Sequence, residues 1–204
     1  MDPLLGLTLE FSANTRLMCE FASFEQLLWS RMLVNGITHE CRQFEDTAKM
    51  QRQRVDNCVE KYLALSLEGP HGMVTMHGSS VARRFPGSDR SVFVLSTRSR
   101  CPESEIQLRE DCWLIATTVR SATSGSPVTR VQQFYRVHVD QSSGRQVSPE
   151  LQELQEFVLK AAGDRVQNHQ RLMRQALIQK FGSEQHPLPQ GILVAPSQRE
   201  FTPV

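Results

Sequence analysis

The side chains able to do chemistry are scattered along this chain and do not gather into a motif. His71, His77, His138 and His169 fall in a turn, two strand-like runs and a helical stretch. His77 and His138 would meet if their strands were neighbours, with Glu68 or Asp111 joining them. Imidazole beside carboxylate is the pairing that general acid–base catalysis uses. None of the spacings that fix such groups in place is present: no HExxH, GxSxG, P-loop or GxGxxG. The five cysteines, Cys19, Cys41, Cys58, Cys101 and Cys112, include no CxxC pair. They read as buried free thiols in a reducing compartment. No catalytic residue, metal site or cofactor is assigned.

Arginines are the second chemical resource. Arg84, Arg109, Arg130 and Arg136 lie in or beside strand-like runs. A guanidinium turned inward needs a partner, which makes Arg84 and Arg109 candidate anchors for a ligand's polar head. An outward arginine on a wet face is the plainer reading. Residues 61–147 carry 11 Lys/Arg against 7 Asp/Glu, while the whole chain has net charge +1. Aromatic residues do not interleave with the basic ones along the sequence, so no nucleic-acid partner is expected.

These residues need elements to hold them. The clearest runs from Ser148 to Phe181. Ser148 is a good N-cap, Pro149 suits the first helical position, Glu150 complements the positive helix end, and Gly182 supplies the stop. Leu151, Leu154, Val158, Ala161, Ala162, Val166, Leu172, Met173, Ala176 and Leu177 form an apolar stripe, with Arg165 and other charged residues mostly off it. A straight helix of this length is roughly 51 Å long. It would overhang a globule whose radius of gyration is near 17 Å, so a bend or break near Gly163 is expected.

Between Tyr62 and Val139 the apolar period changes to two. Strands are predicted at 62–68, 73–77 continuing to 81–85 past a bulge or kink at Gly78, 91–97, 105–119 and 128–139. Short Gly/Pro/Ser turns join them, which predicts an antiparallel meander with the long helix as its cover. Nearer the N-terminus, 7–11 and 16–21 are expected to pair as short strands across Ser12-Ala13-Asn14. A helix capped by Ser23 and Gln26 is expected to end at Asn35-Gly36. A second helix is predicted over 38–61 on the seam Ile37, Cys41, Phe44, Ala48, Gln51, Val55, Cys58 and Tyr62. It would pack on the protein's own sheet, or serve a partner helix.

Four runs carry a family likeness: LEGPHGMVTMHGSSVARRF, DRSVFVLSTR, LREDCWLIAT and VTRVQQFYRVHVD. Within them, Arg83-Arg84-Phe85, Asp89-Arg90-Ser91-Val92, Leu108 to Trp113 and Thr129 to Tyr135 carry the match. Over about residues 60–180 the chain resembles START-like lipid-transfer domains, in particular a divergent group that includes proteins labelled mating-specific. The resemblance implies an α+β helix-grip fold: an antiparallel sheet gripped by a long C-terminal helix, preceded here by two N-terminal helices. It implies one apolar or amphipathic ligand held between sheet and helix, without covalent chemistry.

The lining residues on that view are Met76, Phe93, Leu95, Trp113, Ile115 and Tyr135 from the sheet, and Phe157, Leu172 and Met173 from the helix. Phe93 and Leu95 share one strand face, Trp113 and Ile115 another, and either pair would line a pocket or fill a core. Residues 1–182 are read as one domain and 183–204 as an extended tail. A ligand-free scaffold, with helix 38–61 or the HPLP segment meeting a protein, and an enzyme of the same superfamily are the other readings. No run approaches the length of a membrane span, and an intracellular, cytoplasmic location is expected.

Overall fold

The computed structural model describes residues 8–34, 54–55, 57–69, 72–104, 106–121, 124–140, 148–183 and 192–193. In chain order the elements are β1 (Thr8–Leu17), α1 (Phe21–Val34), β2 (Arg54–Val55), β3 (Cys58–Gly69), β4 (Gly72–Phe85), β5 (Arg90–Arg100), β6 (Gln107–Arg120), β7 (Pro127–Asp140), α2 (Pro149–Phe181) and β8 (Ile192–Leu193). The protein is α+β: six long antiparallel strands in the order β3-β4-β5-β6-β7-β1, with two-residue β2 and β8 at the margins.

The alternation predicted for residues 62–139 is what builds the meander. Along β5, residues 91, 93, 95, 97 and 99 are buried and their neighbours are not. The turns use the glycines at positive φ, Gly72 at 112° and Gly125 at 69°, where other residues are strained. Gly78 is not a bulge, since Leu63, Gly78 and Ser99 stay in one unbroken register. Its role is close approach: a Cβ there would meet the Arg98 carbonyl oxygen and the Ser99 Cα.

β1 differs from expectation. It is one strand that pairs with β7 from Thr8↔His138 to Leu17↔Thr129. Ser12-Ala13-Asn14 therefore does not turn, because ten ladder positions on β7 outweigh a weak local turn preference. α1 begins at Phe21, ahead of the expected Ser23 cap. The predicted helix over 38–61 fails at its C-terminal end, where 54–55 and 58–61 are strand. There Val59 and Lys61 fall in phase with Leu63, Leu65 and Leu67 on one strand face. The rest of that prediction, with Cys41 and the Asn35-Gly36 stop, lies outside the described residues. So does most of the predicted tail, although Ile192 and Leu193 pair with Phe11 and Glu10 of β1.

α2 is capped as its sequence predicts. Ser148 Oγ accepts from Leu151 N, and the Gly182 N–H donates to Ile178 O at 2.7 Å. The same hydroxyl and the helix-start amide hold the Glu150 carboxyl below its ordinary value, its own amide contributing most. Of the bend or break expected near Gly163, no break occurs, and α2 runs as one helix of 33 residues. Gly163 instead lets the helix lie close on β1, for a Cβ there would stand 2.6 Å from Leu9 Cδ1.

Both helices cover the same face of the sheet. α2 approaches β1 and β7 at one margin and β3 at the other, with fewer approaches to the strands between. Beneath it lies one apolar cluster that includes Phe11, Leu65, Met76, Leu95, Leu108 and Val158. A second cluster joins α1, through Phe24, Leu28 and Met32, to Phe93, Leu114 and Val131 and to the far end of α2. Among the contacts that hold α1, Ser91 donates to Glu25, and the Trp29 and Phe93 rings lie 6.5 Å apart. Among the described residues no helix is long and apolar enough to cross a membrane.

Candidate functional site

The register places four polar residues side by side across the inner face: Lys61 opposite Ser80, Ser80 opposite Thr97, and Thr97 opposite Glu110. Apolar rows flank this one, with Leu63, Leu108 and Val139 on one side and Val59, Ala82, Leu95 and Phe11 on the other. Thr97 and Glu110 are buried. The Thr97 hydroxyl donates to Ser80 Oγ at 3.1 Å, and Lys61 Nζ donates to the Met32 carbonyl of α1.

Glu110 is the hub. Arg165, descending from α2, sets Nη2 2.6 Å from one carboxylate oxygen and 2.5 Å from the other. Tyr135, one register step away on β7, donates its hydroxyl to Oε2 at 2.8 Å. Burial raises the Tyr135 phenol well above its ordinary value, and the Glu110 charge raises it further, so the phenol stays protonated and remains a donor. Beside it the Cys112 thiol is pushed up to about 12 by burial, partly opposed by the Gln133 amide that donates to its sulfur. A thiol held at that value is a poor nucleophile at neutral pH.

One group in this region is left over. Among the described residues Ser99 Oγ is buried and has no hydrogen-bond partner. Ser99 is 5% exposed and follows Thr97 on the inner face of β5, opposite Gly78 and Leu108. A buried orphan hydroxyl costs about 1–3 kcal/mol and calls for an explanation.

Of the expected lining residues, Met76, Phe93, Leu95 and Tyr135 face inward and are buried. Phe157 packs on the first cluster and Met173 on the second. Leu172 does neither, being 48% exposed. Trp113 and Ile115 lie on the opposite face of the sheet, because they stand beside Val94 and Val92 and alternate with the inward Cys112 and Leu114. There they line a depression of about 420 Å³ with Glu10, Ser12, Phe134 and Arg136.

Neither expected anchor points a free charge at the inner row. Arg84 is taken up by Asn57, whose Oδ1 accepts from Nε at 3.0 Å and Nη2 at 2.7 Å, and by the Trp29 ring 5.0 Å away. Arg109 is on the outer face, 3.0 Å from Asp111. The inward guanidinium is Arg165. The periodicity around Ala161, Ala162 and Val166 set it at the border of the stripe, where a long side chain reaches the sheet.

His77 and His138 do not meet, since β5 and β6 separate their strands. His138 is on the outer face near Asp111 and Asp140, its Nε2 3.2 Å from Asp140 Oδ1. Burial lowers its pKa, with Asp140 opposing. Glu68 stands opposite Met73 at the far end of β3, and His71 lies outside the described residues. Among the described residues no group of three or more His, Cys, Asp and Glu forms a metal site.

No model of a known protein family matches this chain, and no curated protein matches it.

Proposed function

We propose that this is a START-like, helix-grip binding domain that holds one neutral amphipathic molecule between the inner face of the sheet and α2. The observation that carries this reading is Ser99 Oγ, buried without a partner among the described residues, beside the Thr97–Ser80 pair. A ligand hydroxyl or carbonyl would complete it, and Met76, Leu95 and Leu108 would take the apolar body. The head group is neutral because the one charge reaching this row from α2, Arg165, is already matched by Glu110.

The ionisable groups suit holding and not turnover. Tyr135 and Cys112 both keep their protons far above neutral pH, and acid–base work favours groups that titrate near it. The depth of burial of Met76, Phe93 and Leu108 favours a second reading, a ligand-free scaffold with a filled core.

Native mass spectrometry of the purified chain, with organic extraction of whatever it carries, separates the two. A stoichiometric neutral lipid-like molecule that is lost from Ser99→Ala supports the binding domain. An empty protein that no long-chain alcohol or sterol stabilises thermally supports the scaffold.

A further inference from the structure

We propose that the outer face of the sheet binds single-stranded nucleic acid, because the register places exposed aromatic rings between two rows of arginine. These residues come from four separate strands, β4 to β7, and only the pairing sets them side by side. Across the sheet they interleave.

The centre is the depression walled by Trp113 and Phe134, which are cross-strand neighbours. Phe134 is 44% exposed, and Phe85, three strands over and opposite Val92, is 46% exposed. Toward one end of the strands lie Arg130 and Arg90, both opposite Thr117. Toward the other lie Arg109 opposite Arg98, with Arg100 one row on. From the Arg130 row to the Arg109 row is eight residues of strand, about 27 Å, room for about four nucleotides. Rings between cationic rows are the arrangement that stacks bases while holding phosphates.

Charge complementarity favours an anionic strand. Glu10 is spoken for by Arg136 and Asp111 by Arg109. Among the described residues no carboxylate pairs with Arg90, Arg98, Arg100 or Arg130. Apart from histidine, the basic side chains described on this face are arginine, whose planar fork bonds phosphate through two donors and stacks on rings. Arg83 already stands 5.0 Å over the Phe85 ring. The rings lie within the sheet and not at a protruding apex, which suits a strand laid along the face better than insertion into a bilayer. This site is on the opposite side of the sheet from the pocket proposed above and does not depend on it.

Fluorescence anisotropy tests the proposal with the full chain and labelled 12-mers of deoxythymidine and uridine, a 12-base-pair duplex, and phosphatidylserine vesicles. Expected are saturable binding of a single-stranded 12-mer, at least tenfold weaker binding of the duplex, and weakening as salt rises. Phe134→Ala should lower single-strand affinity at least fivefold, and Arg98→Glu with Arg130→Glu at least tenfold. All three substitutions are at partly or fully exposed positions, and circular dichroism confirms that the fold is kept. No binding at 50 mM salt overturns the proposal. So does duplex binding as tight as single-strand binding, an affinity indifferent to Phe134→Ala, or a clear preference for the vesicles, which would make the face a membrane contact.

Discussion

Arg165 of α2 reaches both carboxylate oxygens of Glu110 on β6, and both side chains are almost wholly shielded from water. Removing one partner of such a pair leaves the other charge buried alone, at a cost of about 3–5 kcal/mol. Arg165→Met should therefore destabilise the protein by about that much in chemical denaturation. Adding Glu110→Gln should recover part of the loss, so the double variant is more stable than the sum of the singles. Additive losses would show that the pair is not coupled.

Ser99 gives a prediction of opposite sign. Its hydroxyl is buried without a partner among the described residues, so Ser99→Ala should stabilise the ligand-free chain by about 1 kcal/mol or more. The same variant should lose the proposed ligand. Thermal melts of delipidated protein measure the first effect, and mass spectrometry of the protein as purified measures the second. A Ser99→Ala chain less stable than the parent after delipidation would show that the hydroxyl already has a partner.

Titration gives a third. Cys112 has an ordinary value of 9.0 and is held at about 12 in the fold, while Tyr135 is held well above 10.0. The unfolded chain releases both protons first, so stability is fully present below about pH 9 and declines as pH rises toward 12. Cys112→Ala should flatten the lower part of that decline. In native protein at pH 8, the buried Cys101 and Cys112 should stay unlabelled by a thiol reagent that modifies the half-buried Cys19 and Cys58.

His138 acts at the other limit. Its value is lowered below 6.5, chiefly by burial. The unfolded chain then takes up the proton first, and stability falls as pH drops from about 6.5 through the folded value. His138→Gln should make the acid side of the stability profile shallower. An unchanged acid limb would mean that the imidazole titrates alike in both states.

Two glycines separate backbone crowding from side-chain crowding. A Cβ at Gly78 would lie 2.0 Å from the Arg98 carbonyl oxygen, a backbone atom that cannot yield without moving the ladder. Gly78→Ala should cost about 2–3 kcal/mol, the upper part of the overpacking range. At Gly163 the neighbour is the tip of Leu9, which can turn aside, and the helix gains about 1 kcal/mol from alanine. Gly163→Ala should be close to neutral.

The parts readable from sequence were those governed by neighbours. α2 could be read from Ser148, Pro149 and Gly182, because caps are local chemistry, and the meander from the period-two runs. The face of each strand could not be read. Phe93 and Trp113 look alike as strand aromatics, and only the pairing of Val94 with Trp113 sends one inward and the other out. β1 escaped for the same reason, since its partner is β7. Arg165 is hidden from periodicity, which ranks a position by its angle and ignores how far an arginine reaches.

That pairing of β1 has a consequence for how the molecule comes into being. Thr8–Leu17 is synthesised before every other described element, yet it docks against β7 and under α2, and Thr129 bonds to a carbonyl 110 residues earlier, that of Cys19. On the ribosome this segment must wait, without its ladder partner, until β7 as far as Asp140 has emerged. Its docking is expected to be a late and slow event in maturation, the step at which a nascent chain remains most open to chaperones and to misassembly.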